Sequence, residues 1–164
     1  MLETVLALFF LCLVFFLVVD YAETLKTRTI LDYAAARGAR ARAVGFNDFM
    51  VTKTVRIATM AAAGKCRTAE DEGHAPTAAF LNSRAGSYLQ SEDESYAHGI
   101  LDFELWENDK LDWHVLETGG PQQGDVTLKT HQRHPLYSYA PNGATEADVS
   151  GEAKIESHYR YYLK

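Results

Sequence analysis

An apolar run opens the chain and passes, without a proline, into a polar segment rich in helix formers. Thr4 to Val19 contains no charge, and Glu3 is the one charged residue among the first 19. The run lies near the lower limit of roughly 17 residues for a membrane-spanning helix. Phe9, Phe10, Phe15 and Phe16 make it bulky on every side. A helix that is apolar all round needs lipid or an assembly to cover it. The next stretch, 20–63, carries Ala34-Ala35-Ala36, Ala39, Ala41, Ala43 and Ala61-Ala62-Ala63, and alanine is the strongest helix former. The sequence therefore predicts one long N-terminal helix over 1–63. Its first third, 1–19, belongs in a membrane or a filament core, and a head of about 100 residues follows. That is enough chain for a modest core without metal or disulfide support.

The start does not read as a cleavable secretory signal. Such a signal has a basic n-region and a small-residue cleavage site, whereas this chain begins Met-Leu-Glu and the run ends Val18-Val19-Asp20-Tyr21. Lys26 and Arg28 follow the run and no Lys or Arg precedes it. By the positive-inside rule the C-terminal part would lie in the cytoplasm. An exported head requires instead that a basic leader has been removed ahead of Met1. Glu3 suits the positive end of the helix dipole. It either sits in the headgroup layer or pairs with a neighbour's N-terminal amine and sets the stagger of an assembly.

Within the polar half, Ile30, Ala34, Gly38, Ala41 and Gly45 recur at i, i+3/i+4 spacing. This narrow stripe of small residues permits close backbone approach by another helix. Lys26, Arg37, Arg40 and Lys53 occupy opposing positions, and a bend falls naturally between Gly38 and Gly45. Gly64 ends the helical stretch.

The succession Glu3, apolar run, Val18-Val19-Asp20-Tyr21-Ala22, then Leu31-Asp32-Tyr33-Ala34-Ala35-Ala36-Arg37-Gly38-Ala39-Arg40-Ala41 resembles the N-terminal region of TadE-like pilus proteins of the tight-adherence system, within the type IV pilin-like superfamily. The resemblance covers residues 3–45. It implies a pilin or minor pilin, processed by a prepilin peptidase and handled by a pilus assembly machinery. Such a subunit moves from the inner membrane into an extracellular helical filament of copies of itself or other pilins. Glu3 stands where that family has its acidic residue, though two positions nearer the start. The assembly residues expected on this basis are Glu3, Leu13, Phe16, Asp20 and Gly38.

Charge divides the chain. Residues 20–67 carry nine Lys/Arg against four Asp/Glu, and residues 68–164 carry seven against 17. A basic stem beside an acidic head suits packing between copies. An acidic head also argues against a nucleic-acid partner. Cys12 lies in the apolar run and should pack as a small hydrophobe. On one continuous helix Cys66 would lie about 80 Å from it at 1.5 Å per residue. The two cannot pair within the chain, and Cys66 is expected as a free or intermolecular thiol.

For the head, 64–164, the pattern predicts an α+β fold: one short helix and about four antiparallel strands packed on the upper helix. Lys65 to Thr77 reads as a loop, and Thr77 as the cap of a helix running to Leu89. Leu101, Phe103 and Leu105 alternate with Asp102, Glu104 and Trp106, which predicts a hairpin across Glu107-Asn108-Asp109-Lys110 to Leu111–Glu117. A strand around Val126, Leu128 and Thr130 runs toward Pro135, and a last strand covers Ala153 to Leu163.

No catalytic constellation emerges, so an enzyme is not expected. Ser91-Glu92-Asp93-Glu94-Ser95 lacks the calcium-loop pattern. His131 and His134 would point to opposite faces of a strand, and His74, His98, His114 and His158 are dispersed. No metal site or cofactor is expected. Tyr137, Tyr139, Tyr159, Tyr161 and Tyr162 offer either core packing or a contact surface. The competing expectation is a single-pass membrane-anchored protein with an extracytoplasmic ligand-binding or enzymatic head.

Overall fold

The computed structural model describes residues 2–71, 73, 76–107, 110–120, 123–135 and 146–157. The fold is α+β, a long apolar N-terminal helix with short helices and an antiparallel sheet. Helix α1 spans Leu2–Val44. The expected continuation to residue 63 does not occur, because the chain reverses at Gly45. Gly45 has φ 99°, a left-handed conformation that glycine adopts without a Cβ penalty. Its N–H donates to the Arg42 carbonyl at 2.9 Å, and the Phe46 N–H donates to the Ala41 carbonyl at 3.1 Å. These two bonds form a Schellman motif. Asn47 then caps helix α2, Asp48–Thr59, by accepting from the Met50 N–H at 3.0 Å. The Arg42–Asp48 ion pair, 2.9 Å, ties the two helix ends together.

Helix α2 runs back along α1 and presents Val51 and Val55 to Ala34, Ala35 and Ala39. A 3₁₀ turn, Met60–Ala62, follows, and Gly64 at φ 77° turns the chain away. Three further helices follow: α3 Arg67–Asp71, α4 Ala78–Gln90 and α5 Glu94–Ile100. Thr77 caps α4 as the sequence predicts, its side chain accepting from the Phe80 N–H at 3.2 Å. The head thus holds more helix than the single one expected.

The sheet has three described strands, not about four, in the order β1-β2-β3: Leu111–Gly120, Gln123–Pro135 and Glu146–Ser157. The Leu101–Trp106 segment is not a strand. It makes one isolated bridge, Phe103 to Cys66, and closes into a 3₁₀ turn at Glu104–Trp106. Its apparent alternation misleads because Trp106 is buried along with Leu101, Phe103 and Leu105. The last strand starts seven residues earlier than expected; its predicted part beyond Ser157 lies outside the described residues. Tyr137, Tyr139, Tyr159, Tyr161, Tyr162, His74 and His158 also lie outside them.

Register fixes which face is inside. Leu111, Trp113 and Val115 on β1 meet Gln132, Thr130 and Leu128 on β2, which meet Val149, Gly151 and Ala153 on β3. This face packs on α1 and α2. Burying a Leu or Val side chain such as Leu128 or Val55 contributes about 1.5–3 kcal/mol. A second cluster joins Leu31, Tyr88, Leu101, Phe103 and Trp106 at the other end of the same layer.

Two glycines let the helix descend onto its neighbours. A Cβ at Gly151 would lie 2.4 Å from the Leu31 carbonyl carbon, so α1 rides directly on the β3 backbone. There the Thr130 hydroxyl donates to the Leu31 carbonyl at 3.1 Å, with the Gly151 carbonyl at 3.3 Å as a second acceptor. The Glu152 N–H donates to the Asp32 carboxylate at 3.1 Å. About two turns beyond Leu31, a Cβ at Gly38 would meet Leu128 Cδ1 at 2.7 Å and Val55 Cγ2 at 2.8 Å.

Candidate functional site: an uncovered apolar helix half

Helix α1 changes environment along its length without breaking. Every side chain from Glu3 to Val19 is exposed, on all sides of the helix. From Asp20 onward one face turns inward, through Thr27, Leu31, Ala34, Ala35, Gly38, Ala39 and Ala41. The free half covers about 26 Å at 1.5 Å per residue, close to the ~30 Å hydrocarbon core of a bilayer. Its mean hydropathy over an 18-residue window is 2.7. The helix is therefore long and apolar enough to cross a membrane. Its polar end is stabilised locally: the Thr24 and Thr29 hydroxyls donate to the Asp20 and Leu25 carbonyls, and Lys26 pairs with Glu23 at 3.3 Å.

The expected assembly residues fall into two groups. Glu3, Leu13 (44% exposed) and Phe16 (57% exposed) stand free on the uncovered half. Phe16 packs edge-on against Phe15, ring centres 6.2 Å apart. Asp20, 9% exposed, marks the boundary. Gly38 does not belong with them: its close approach is made to α2 and β2 of its own chain, so the small-residue stripe is already filled. Phe46, which follows that stripe, is exposed, while Ile30 is half-buried. Cys12 is exposed instead of packed, and Cys66 is buried with its Sγ 3.7 Å from the Thr68 hydroxyl. Burial withholds Cys66 from pairing with another chain.

The head contains a polar chain that the sequence reading did not assemble. Arg56, buried on α2, donates to Glu94 at 3.2 Å and to His98 Nε2 at 3.3 Å. A guanidinium only donates, so Nε2 accepts and the ring proton sits on Nδ1, 3.4 Å from Asp102. Arg67 reaches Asp102 at 3.7 Å and Glu107 at 2.6 Å, and Lys110 reaches Glu107 at 3.2 Å. Arg67, and then Lys110, hold the Glu107 carboxyl below the usual carboxylate range, while the hydrogen bond to Glu107 raises Arg67. Burial pushes the Tyr88 phenol up, against the pull of Arg56. These partners come from four separate segments, so spacing along the chain gives no signal of them.

Lys53, which the sequence places opposite the small-residue stripe, is 1% exposed. Its ammonium donates to the Ser91 carbonyl and, at 3.3 Å, to the Leu89 carbonyl, and it lies 4.1 Å from the Phe49 ring centre. A cation at the C-terminal end of α4 satisfies carbonyls the helix leaves open. Burial pushes its pKa down.

A polar cleft of about 160 Å³ opens between α2, α5 and β1, lined by Thr52, Arg56, Glu94, Leu111, Asp112 and Trp113. The arginine and two carboxylates there give it mixed charge. Among the described residues no three of His, Cys, Asp and Glu converge to hold a metal ion. Comparison of the chain with family models, with curated proteins and with solved structures found no match.

Proposed function

We propose that this chain is a structural subunit, a pilin or minor pilin, of a type IV-like pilus of the tight-adherence kind. The observation that carries the reading is the uncovered apolar half of α1, continuous with a half clamped into a compact head. Uncovered apolar surface on all sides of a helix is stable only in lipid or against other apolar helices. A subunit stored in the inner membrane and drawn into a filament meets both conditions in turn. The TadE-like pattern of residues 3–45 supports the same reading. On it, neighbouring copies or other pilins cover Leu13 and Phe16, and Glu3 sets their stagger. The head faces outward at the cell surface, and the chain is not an enzyme.

Electron microscopy of native material tests this directly, with filaments expected. Phe16→Asp places a carboxylate where lipid or neighbours must cover it, at a cost of up to about 2.5–3.5 kcal/mol, the figure for a bilayer centre. Filaments should disappear while the head unfolds as before; filaments retained by Phe16→Asp would sink the proposal. Glu3→Ala should reduce assembly and leave membrane insertion intact, and unchanged assembly would strip Glu3 of its role. The cleft beside Arg56 favours a second reading, a membrane-anchored head that binds a small ligand. Residues 20–164 alone, screened for ligand binding, separate the two: a specific ligand favours the anchored head, and an inert head favours the subunit.

A further inference from the structure

The outer face of the sheet, turned away from α1, brings together residues that lie far apart in sequence. Asp112 on β1 stands opposite His131 on β2, and His114 stands opposite Lys129. The two histidines are therefore diagonal neighbours across the strand pair, with ring centres 6.2 Å apart. His114 Nε2 lies 3.0 Å from the Asp112 carboxylate. Lys129, the nearest cation by register, is drawn off by Glu152 at 3.4 Å. Both His114 and Asp112 are more than half exposed, and Asp112 is held by the Trp113 N–H, which donates to its carboxylate at 2.7 Å.

We propose that His114 and His131 form a two-imidazole site for a divalent transition metal of the zinc, nickel and copper class, with Asp112 as the partner that orients His114. Imidazole favours these metals over magnesium and calcium. A ligating histidine characteristically gives its other ring N–H to a carboxylate, which is the relation already present between His114 and Asp112. With Nε2 so engaged, Nδ1 of His114 is the nitrogen left for the metal. Zinc lies about 2.1 Å from a ligating nitrogen. Two rings bound tetrahedrally then have centres about 5.3 Å apart on that bond length, roughly 1 Å closer than here. Rotation of the exposed His114 and the half-buried His131 side chains supplies that difference without moving the strands. Water fills the remaining positions, which makes this an open surface site and distinguishes it from a closed structural one. It stands independently of the pilus proposal, since it needs only the folded sheet.

The test is titration of the full chain in detergent with zinc chloride, followed by calorimetry and by imidazole nitrogen NMR. Zinc is expected to shift the His114 and His131 ring nitrogens together. His114→Ala and His131→Ala should each lower the affinity tenfold or more, and Asp112→Asn should lower it by a smaller factor. His114 and Asp112 are more than half exposed and His131 is half-buried, so melting of each variant without metal is measured alongside and is expected to stay close to wild type. Zinc affinity that is unchanged in both histidine variants overturns the site. So does the absence of any shift at His114 and His131 in the wild-type chain.

Discussion

The two halves of α1 are one helix in two solvents. Residues 3–19 are exposed on every side, and residues 20–44 pack against α2, β2 and β3. Side-chain size separates them. The free half is built from Phe, Leu and Val, whereas the inward face of the clamped half is mostly small, with Ala34, Ala35, Gly38, Ala39 and Ala41 beside Thr27 and Leu31. Small residues bring backbones together, as at Leu31 over Gly151. Large residues keep a helix surface broad and oily for partners still to come. Stability of the head should therefore depend on the second half and be indifferent to the first.

Mutations can break that division. Leu128→Ala removes a fully buried side chain that packs against Gly38. It should destabilise the head by about 2–5 kcal/mol in denaturant unfolding. Gly151→Ala forces α1 off the β3 backbone and should lose about 1–3 kcal/mol, with the Thr130–Leu31 bond lost as well. Asn47→Ala removes the cap that starts α2 after the reversal, and about 1 kcal/mol is expected. The acid dependence of Glu107 is smaller still. Its carboxyl is held low in the folded chain by Arg67 and Lys110, so its contribution is present above the ordinary carboxylate range near 4.3. It is lost as pH falls through the depressed folded value, and unfolding curves of Glu107→Gln and wild type should converge there. At the bottom of the scale, Phe16→Ala should move head unfolding by no more than about 0.5 kcal/mol. A larger shift from Phe16→Ala would mean the free half is not free.

Much of this contrast is legible along the chain, because it rests on local composition. The run Thr4–Val19 announces itself, Thr77 announces the start of α4, and alternation places β1 and the middle of β2. The reversal at Gly45 is also written locally: a glycine in the C′ position, then Asn47 and Asp48 as cap and first-turn acid. Helix-forming alanines on either side outweigh that signal when propensity is summed over the whole stretch. Other features depend on contacts the sequence does not display. Gly38 reads correctly as a point of close approach, but only the fold shows that α2 and β2 fill it. The burial of Lys53 has no signal in the sequence, because its acceptors, the Leu89 and Ser91 carbonyls, lie more than 35 positions away. His114 and His131 become neighbours only through register across the β1–β2 pair.

Helix α1 has 43 residues and no break, so it is a rod of about 64 Å at 1.5 Å per residue. A rod with no hinge transmits load. Tension applied to its apolar end would reach the buried stretch from Asp20 onward, where Leu31 and Asp32 are hydrogen-bonded to Thr130 and Glu152. The first element to yield under pull is then the seat of the helix on the sheet, and the strand pairing behind it would hold longer.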